Sequence, residues 1–447
     1  MALHSAAAAA ALSALLMLSF SGLTLSDTTP STPVSPSAAC NATTDPTFCR
    51  SVLPPRGKGD LYKYGRFSVA ESLAGARMFA ALVDRYLARH RHLSSSAIGA
   101  LRDCQLMADL NVDFLTAAGA TIKTTDTLLD PQADDVHTLL SAILTNQQTC
   151  FDGLQAASGS WSDRGGLDAP IANGTKLYSL SLSLFTRAWV PTAKPAHSHK
   201  GGSNDPHHGH GHGHAVVGQG FVAVNMTFRN TAGPAKHQAV AFRSGADLSA
   251  YYGCSFEAYQ DTLYTHSLRQ FYRGCDIYGT VDYVFGNAAV VFQGCTFYSR
   301  LPMQGQCNTV TAQGRSDPNQ NTGTSIQGCS LVAAPELAAN TAFTTLSYLG
   351  RPWKNFSRTV VMESYVGALV DPSGWMPWSG DFALSTLYYA EYNNTGPGAD
   401  TSRRVAWPGF HVLGDGTDAG NFTVSSMVLG ENWLPQTGVP FTSGLIP

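Results

Sequence analysis

The sequence predicts two unlike halves, an N-terminal all-α four-helix bundle and a C-terminal all-β right-handed parallel β-helix. Two observations carry this. Before about residue 190, apolar residues recur at steps of three and four, the period of one helix face. After about residue 217, a Gly-Cys motif recurs near every twenty residues in β-rich sequence, which marks a solenoid with one coil per repeat.

The chain of 447 residues is long enough for two or three domains. Charged residues make up 13%, and 43 glycines fit a globular protein with many tight turns. A net charge of -3 gives no global basic surface, so nucleic acid is not an expected partner. Residues 1–26 read as a secretory signal: an apolar run from Ala6 to Phe20 is followed by small residues at Thr24 and Ser26. That run is too short for a comfortable bilayer span, and no other segment is apolar enough for one. Secretion agrees with six N-x-[ST] sequons, at Asn41, Asn173, Asn225, Asn355, Asn393 and Asn421.

The helical half is assigned to residues 38–190. Val69, Leu73, Ala76, Ala80, Val83 and Leu87 form one stripe. Val136, Leu139, Leu140, Ile143 and Leu144 form another behind Asp134 and Asp135, and Leu177, Leu180, Leu184 and Ala188 a third. Amphipathic helices joined by short connections pack as a bundle. Cys40, Cys49, Cys104 and Cys150 lie here, and their sequence positions allow three pairings.

Residues 191–216 read as a linker rich in Pro, Gly, Ser and His. The run from His207 to His214 is read as a solvated spacer, because no acidic or Cys ligand completes a metal site beside it.

Residues 217–447 carry the repeat. Tyr252-Gly253-Cys254-Ser255-Phe256 is echoed at Arg273-Gly274-Cys275, at Gln293-Gly294-Cys295 and, after a longer insertion, at Gln327-Gly328-Cys329. Equivalent residues then stack on neighbouring coils, about 4.8 Å apart. Asp261 lies seven residues after Cys254, and Asp282 seven after Cys275, so the two carboxylates share one phase. Gln260 precedes Asp261, and Gln238 lies 22 residues before Gln260. Like charges that close do not both ionise easily, which favours one ionised nucleophile and one protonated acid. Arg351 is the candidate cation, since a guanidinium grips a carboxylate by two hydrogen bonds.

Gln238-Ala-Val-Ala-Phe-Arg243, Gln260-Asp-Thr-Leu263, Asp282-Tyr-Val-Phe-Gly286, Leu349-Gly-Arg-Pro-Trp353 and Trp375-Met-Pro-Trp378 together resemble the signatures of plant pectinesterases, in family order. The helical half resembles the plant invertase and pectinesterase inhibitor domain. The resemblance implies a secreted cell-wall enzyme acting on methylated homogalacturonan. In it Asp282 is the nucleophile, Asp261 the acid and then the base, and Gln238 and Gln260 the oxyanion donors. Arg351 keeps Asp282 ionised, and Trp353, Trp375 and Phe285 line the sugar cleft. It also implies bridges Cys40–Cys49, Cys104–Cys150 and Cys295–Cys329, contact between the inhibitor-like and catalytic halves, and no cofactor or metal. The chain departs from the family in three ways. It has no G-x-Y-x-E motif before Gln238, its catalytic half is short by its first coils, and no Lys/Arg pair stands between 191 and 216.

Two rival readings stand beside this one. A β-helical glycosidase or lyase would act on the same polymer, and fold alone does not separate these chemistries. Alternatively, the helical half acts as an inhibitor module joined to a silent solenoid.

Overall fold

The computed structural model describes residues 29–88, 93–157, 165–190 and 214–446. The expected signal at 1–26 and the histidine run up to residue 213 fall outside these residues.

Two short helices open the described chain, α1 (Pro36–Cys40) and α2 (Pro46–Val52). Each starts on a side-chain cap: Ser35 accepts from Ala38 N, and Asp45 from Phe48 N. Four long helices follow: α3 (Leu61–Ala88), α4 (Ser95–Ile122), α5 (Asp130–Ala156) and α6 (Gly165–Trp189). The apolar stripes read from the sequence face inward: Val69, Val83, Val136, Leu140, Ile143 and Leu184 are buried. Each such side chain contributes roughly 1.5–3 kcal/mol. Disulfides join Cys40 to Cys49 and Cys104 to Cys150, clipping α1 to α2 and α4 to α5. No helix among the described residues is long and apolar enough to cross a membrane.

The second half winds as a parallel β-helix of three sheets, with six, eight and six strands. The first sheet is built from β1 (His214–Val216), β2 (Phe242–Ser244), β3 (Leu263–Thr265), β4 (Val284–Gly286), β5 (Asn308–Gln313) and β6 (Ser347–Gly350), in chain order. Phe242 pairs with Leu263, and Leu263 with Val284, so the coil length is the period read from the sequence. Aromatic side chains stack through the interior: Tyr251 on Tyr272 at 4.4 Å, then Tyr272 on Phe292 at 4.6 Å.

Cys254, Cys275, Cys295 and Cys329 form a buried ladder, and all four are free thiols. The bridge expected between Cys295 and Cys329 is therefore absent. Cys329 Sγ accepts instead from Cys295 N at 3.3 Å and donates to Phe292 O at 3.4 Å. Burial pushes the Cys295 thiol well up, so it stays protonated and packs as a small apolar group.

The first coil differs from the sequence reading in one detail. His214–Val216 belong to β1, paired with Phe242–Ser244, and not to a linker. Each strand of this coil stands last in its sheet, so its outer edge has no strand partner among the described residues. Val222, Val224 and Met226 are 39%, 46% and 48% exposed there. An open edge flanked by exposed apolar side chains is what a solenoid shows when its preceding coils are missing.

The bundle lies against the first sheet and the loop after β5. His137 Nε2 on α5 meets Asn319 O at 2.7 Å, and Thr149 Oγ1 meets His266 Nε2 at 2.9 Å. Three cationic side chains make four ion pairs across the same seam. Arg243 reaches Asp103 at 3.1 Å, Lys354 reaches Asp152 at 3.2 Å, and Arg269 reaches both Asp134 and Asp135 within 2.9 Å.

Candidate active site

Gln238, Gln260, Asp261 and Asp282 sit where the chain turns into β2, β3 and β4. Gln238 and Gln260 form a parallel bridge, and Asp261 N donates to Val281 O at 3.1 Å. The equal phase of the two aspartates is thus realised in space. Both adopt left-handed backbone, with φ of 61° at Asp261 and 51° at Asp282. Asp tolerates that region better than most residues, yet two strained positions side by side are the kind of feature that clusters at functional sites.

Arg351, directly after β6, closes on Asp282 with two hydrogen bonds, Nε to Oδ1 at 2.8 Å and Nη2 to Oδ2 at 2.7 Å. The Asp282 side chain is 8% exposed, so this fork works away from bulk water. Burial first, and then the neighbouring Asp282 carboxylate, push the Asp261 carboxyl well above the usual carboxylate range, while Arg351 pulls the other way. One carboxylate is paired with a cation, and the other is favoured in its protonated form. The side-chain amides of Gln238 and Gln260 have no hydrogen-bond partner among the described residues, and both residues are half-buried. They are donors available to a ligand.

The expected aromatic lining is partly corrected. Phe285 stacks on Tyr264 at 4.3 Å and meets Trp353 edge-on at 6.0 Å, forming a shelf beside the carboxylates. Trp375 is not on that shelf. It is 1% exposed, tilted against Tyr389 at 4.3 Å, and its Nε1 donates to Glu391 Oε1 at 3.2 Å. Glu391 is itself forked by Arg404, so Trp375 belongs to a buried interior network. The tryptophan at the cation is Trp378, whose ring lies 4.3 Å from Arg351 Cζ. Sequence reasoning quoted Trp378 only as part of a motif; a lone aromatic in an aperiodic turn carries no phase.

Sequence reasoning also missed Thr309 and the covering helix. Thr309 Oγ1 donates to Asp282 Oδ1 at 2.7 Å. Helix α5 covers the shelf: Thr149 approaches Tyr264, and Asp152 holds Lys354 next to Trp353. Only a narrow, partly open cleft remains between them, lined by Gln148, Asp152, Tyr264, Trp353 and Lys354 among others. No cluster of metal-ligating side chains occurs among the described residues.

The family model described as Pectinesterase matches residues 206–431, and that of the plant invertase/pectin methylesterase inhibitor matches residues 35–184. The chain is 44% identical to the Arabidopsis thaliana protein named "Probable pectinesterase/pectinesterase inhibitor 41", across 92% of this chain and 95% of that one. That alignment runs over 545 residues, more than the 447 of this chain, so the relative carries internal sequence that this chain lacks. Pectinesterase 2 of Citrus sinensis is 59% identical across 52% of this chain and 45% of its own length. Among solved structures, the pectin methylesterase from carrot is 56% identical with a TM-score of 0.51, covering 52% of this chain and 72% of that one.

Proposed function

Because this chain belongs to the pectinesterase family, we propose that it is a secreted carboxylic ester hydrolase that removes C6 methyl esters from pectin in the plant cell wall. The observation that carries the reading is the pairing of a cation-held carboxylate at Asp282 with a protonated carboxyl at Asp261.

Asp282 attacks the ester carbonyl, forming a C–O bond and a tetrahedral oxyanion. Gln238 and Gln260 donate hydrogen bonds to that oxygen. One such donor typically contributes about 3 kcal/mol to the transition state. Collapse breaks the bond to the methoxy oxygen, which takes the Asp261 proton and leaves as methanol. Water then attacks the acyl anhydride, Asp261 accepts its proton, and Asp282 departs as carboxylate. Arg351 aims Asp282 throughout. Trp353 and Trp378 offer apolar faces on which sugar rings pack, while Phe285, 4% exposed and stacked on Tyr264, backs Trp353 from beneath.

The chemistry separates this reading from other pectin-degrading solenoids. Methylated pectin should yield methanol with no gain in reducing ends and no unsaturated product. New reducing ends without methanol would favour a glycosidase.

A second reading concerns the bundle. Asp152 on Lys354 and Thr149 on Tyr264 favour a latent form in which α5 occupies the sugar shelf. Polymer then binds only after the bundle is displaced.

A further inference from the structure

Resting on the esterase reading above, we propose that Thr309 is a positioning residue that selects which oxygen of Asp282 attacks the substrate.

Thr309 lies in β5, one coil beyond Asp282. Val284 pairs with Thr311, so two residues earlier Asp282 stands opposite Thr309. The Thr309 hydroxyl does two things at once. It accepts from Asp282 N at 2.8 Å and donates its single proton to Asp282 Oδ1 at 2.7 Å. One hydroxyl therefore clamps both ends of the same residue, at a position held in left-handed backbone. Thr309 is 1% exposed and β-branched, so its χ1 is stiff and water does not compete for the clamp.

The consequence follows from counting lone pairs. A carboxylate oxygen offers two acceptor positions in the carboxylate plane. Oδ1 fills both, one with Thr309 Oγ1 and one with Arg351 Nε. Oδ2 fills one, with Arg351 Nη2. The open lone pair belongs to Oδ2, and Oδ2 is the attacking atom. Arg351 alone grips both oxygens and leaves their roles alike; Thr309 breaks the symmetry. It also stops the carboxylate from turning about its Cβ–Cγ bond between turnovers, when the acyl group has left.

The test uses the full chain with Thr309→Val and Thr309→Ser. Valine keeps the branched shape and loses the hydroxyl; serine keeps the hydroxyl. The valine variant should lose about 10- to 100-fold in kcat, the effect of removing a hydrogen bond to a charged group. KM should change by less than about twofold, because Thr309 touches no substrate. Serine should restore most of the rate. Hydrogen–deuterium exchange of the peptide spanning Asp282 supplies a readout that needs no turnover. Exchange at Asp282 should speed up in the valine variant and not in the serine variant. If the parent chain releases no methanol even after its bundle is displaced, the esterase reading fails while the exchange data still decide the clamp. Unchanged kcat, or unchanged exchange, in the valine variant overturns the proposal. Equal loss in both variants, with lowered stability in both, overturns it too and leaves Thr309 a packing residue.

Discussion

Replacing Asp261 with Asn should make the protein more stable and abolish its activity, and the gain should grow with pH. The Asp261 carboxyl is held well above the usual carboxylate range, by burial first and then by the Asp282 carboxylate. The unfolded chain releases this proton near the ordinary Asp value of about 3.9. Above that pH the folded state binds more protons than the unfolded state, so stability falls as pH rises until the folded carboxyl also ionises. One proton of difference gives a slope of about 1.4 kcal/mol per pH unit. Asparagine has nearly the same shape, keeps no proton to lose and places no second negative charge beside Asp282. The assay is urea denaturation of the parent and Asp261→Asn chains at closely spaced pH values from 4 upward. The difference in unfolding free energy between them should open at that slope and then level off. The variant should release no methanol at any of these pH values, since it cannot deliver a proton to the leaving group. Parallel stability profiles would refute the argument, because they would mean that Asp261 ionises alike in both states. A variant that retains activity would remove Asp261 from the chemistry.

Three further outcomes follow from the contacts described above. Trp375→Ala should cost about 3–5 kcal/mol in denaturant unfolding, as a deleted core aromatic does, whereas Trp378→Ala should cost less and show its effect as a raised KM for pectin. Asp134→Asn combined with Asp152→Asn removes carboxylates from Arg269 and Lys354 across the docked face. Weakening of docking by about 1–3 kcal/mol, or 5- to 150-fold in the equilibrium, should raise methanol release; unchanged release would show that the bundle does not cover the site in solution. Val224→Lys on the open first coil should shift stability in urea unfolding by less than about 0.5 kcal/mol, because Val224 is 46% exposed; a larger loss would place that side chain in a packed contact.

The site was legible where the chain is periodic. The phase shared by Cys254 with Asp261 and by Cys275 with Asp282 put both carboxylates on one column, and the pairing of Leu263 with Val284 realises it. The helical stripes likewise identified the buried faces at Val69, Val136 and Leu184, because a single face of a helix repeats. Legibility failed where the period broke. The coil after Asp282 is longer, so Thr309 stood at an unexpected distance and gave no phase signal. Trp375 and Trp378 lie in aperiodic turns, where three residues decide between the interior and the cleft. The Cys295–Cys329 expectation came from resemblance and not from the pattern of this chain, whose ladder only requires small buried side chains. The seam between the halves depends on pairs such as Asp134 with Arg269, far apart in sequence and each unremarkable alone.

The proposed esterase chemistry requires Asp282 as its nucleophile. Its most direct test is methanol release from highly methylated pectin by the full chain beside its Asp282→Asn variant, with folding of both checked by circular dichroism. The account predicts steady release by the parent chain and none by the variant. Equal release by both would contradict it, and so would a folded parent chain that releases none after its bundle has been displaced.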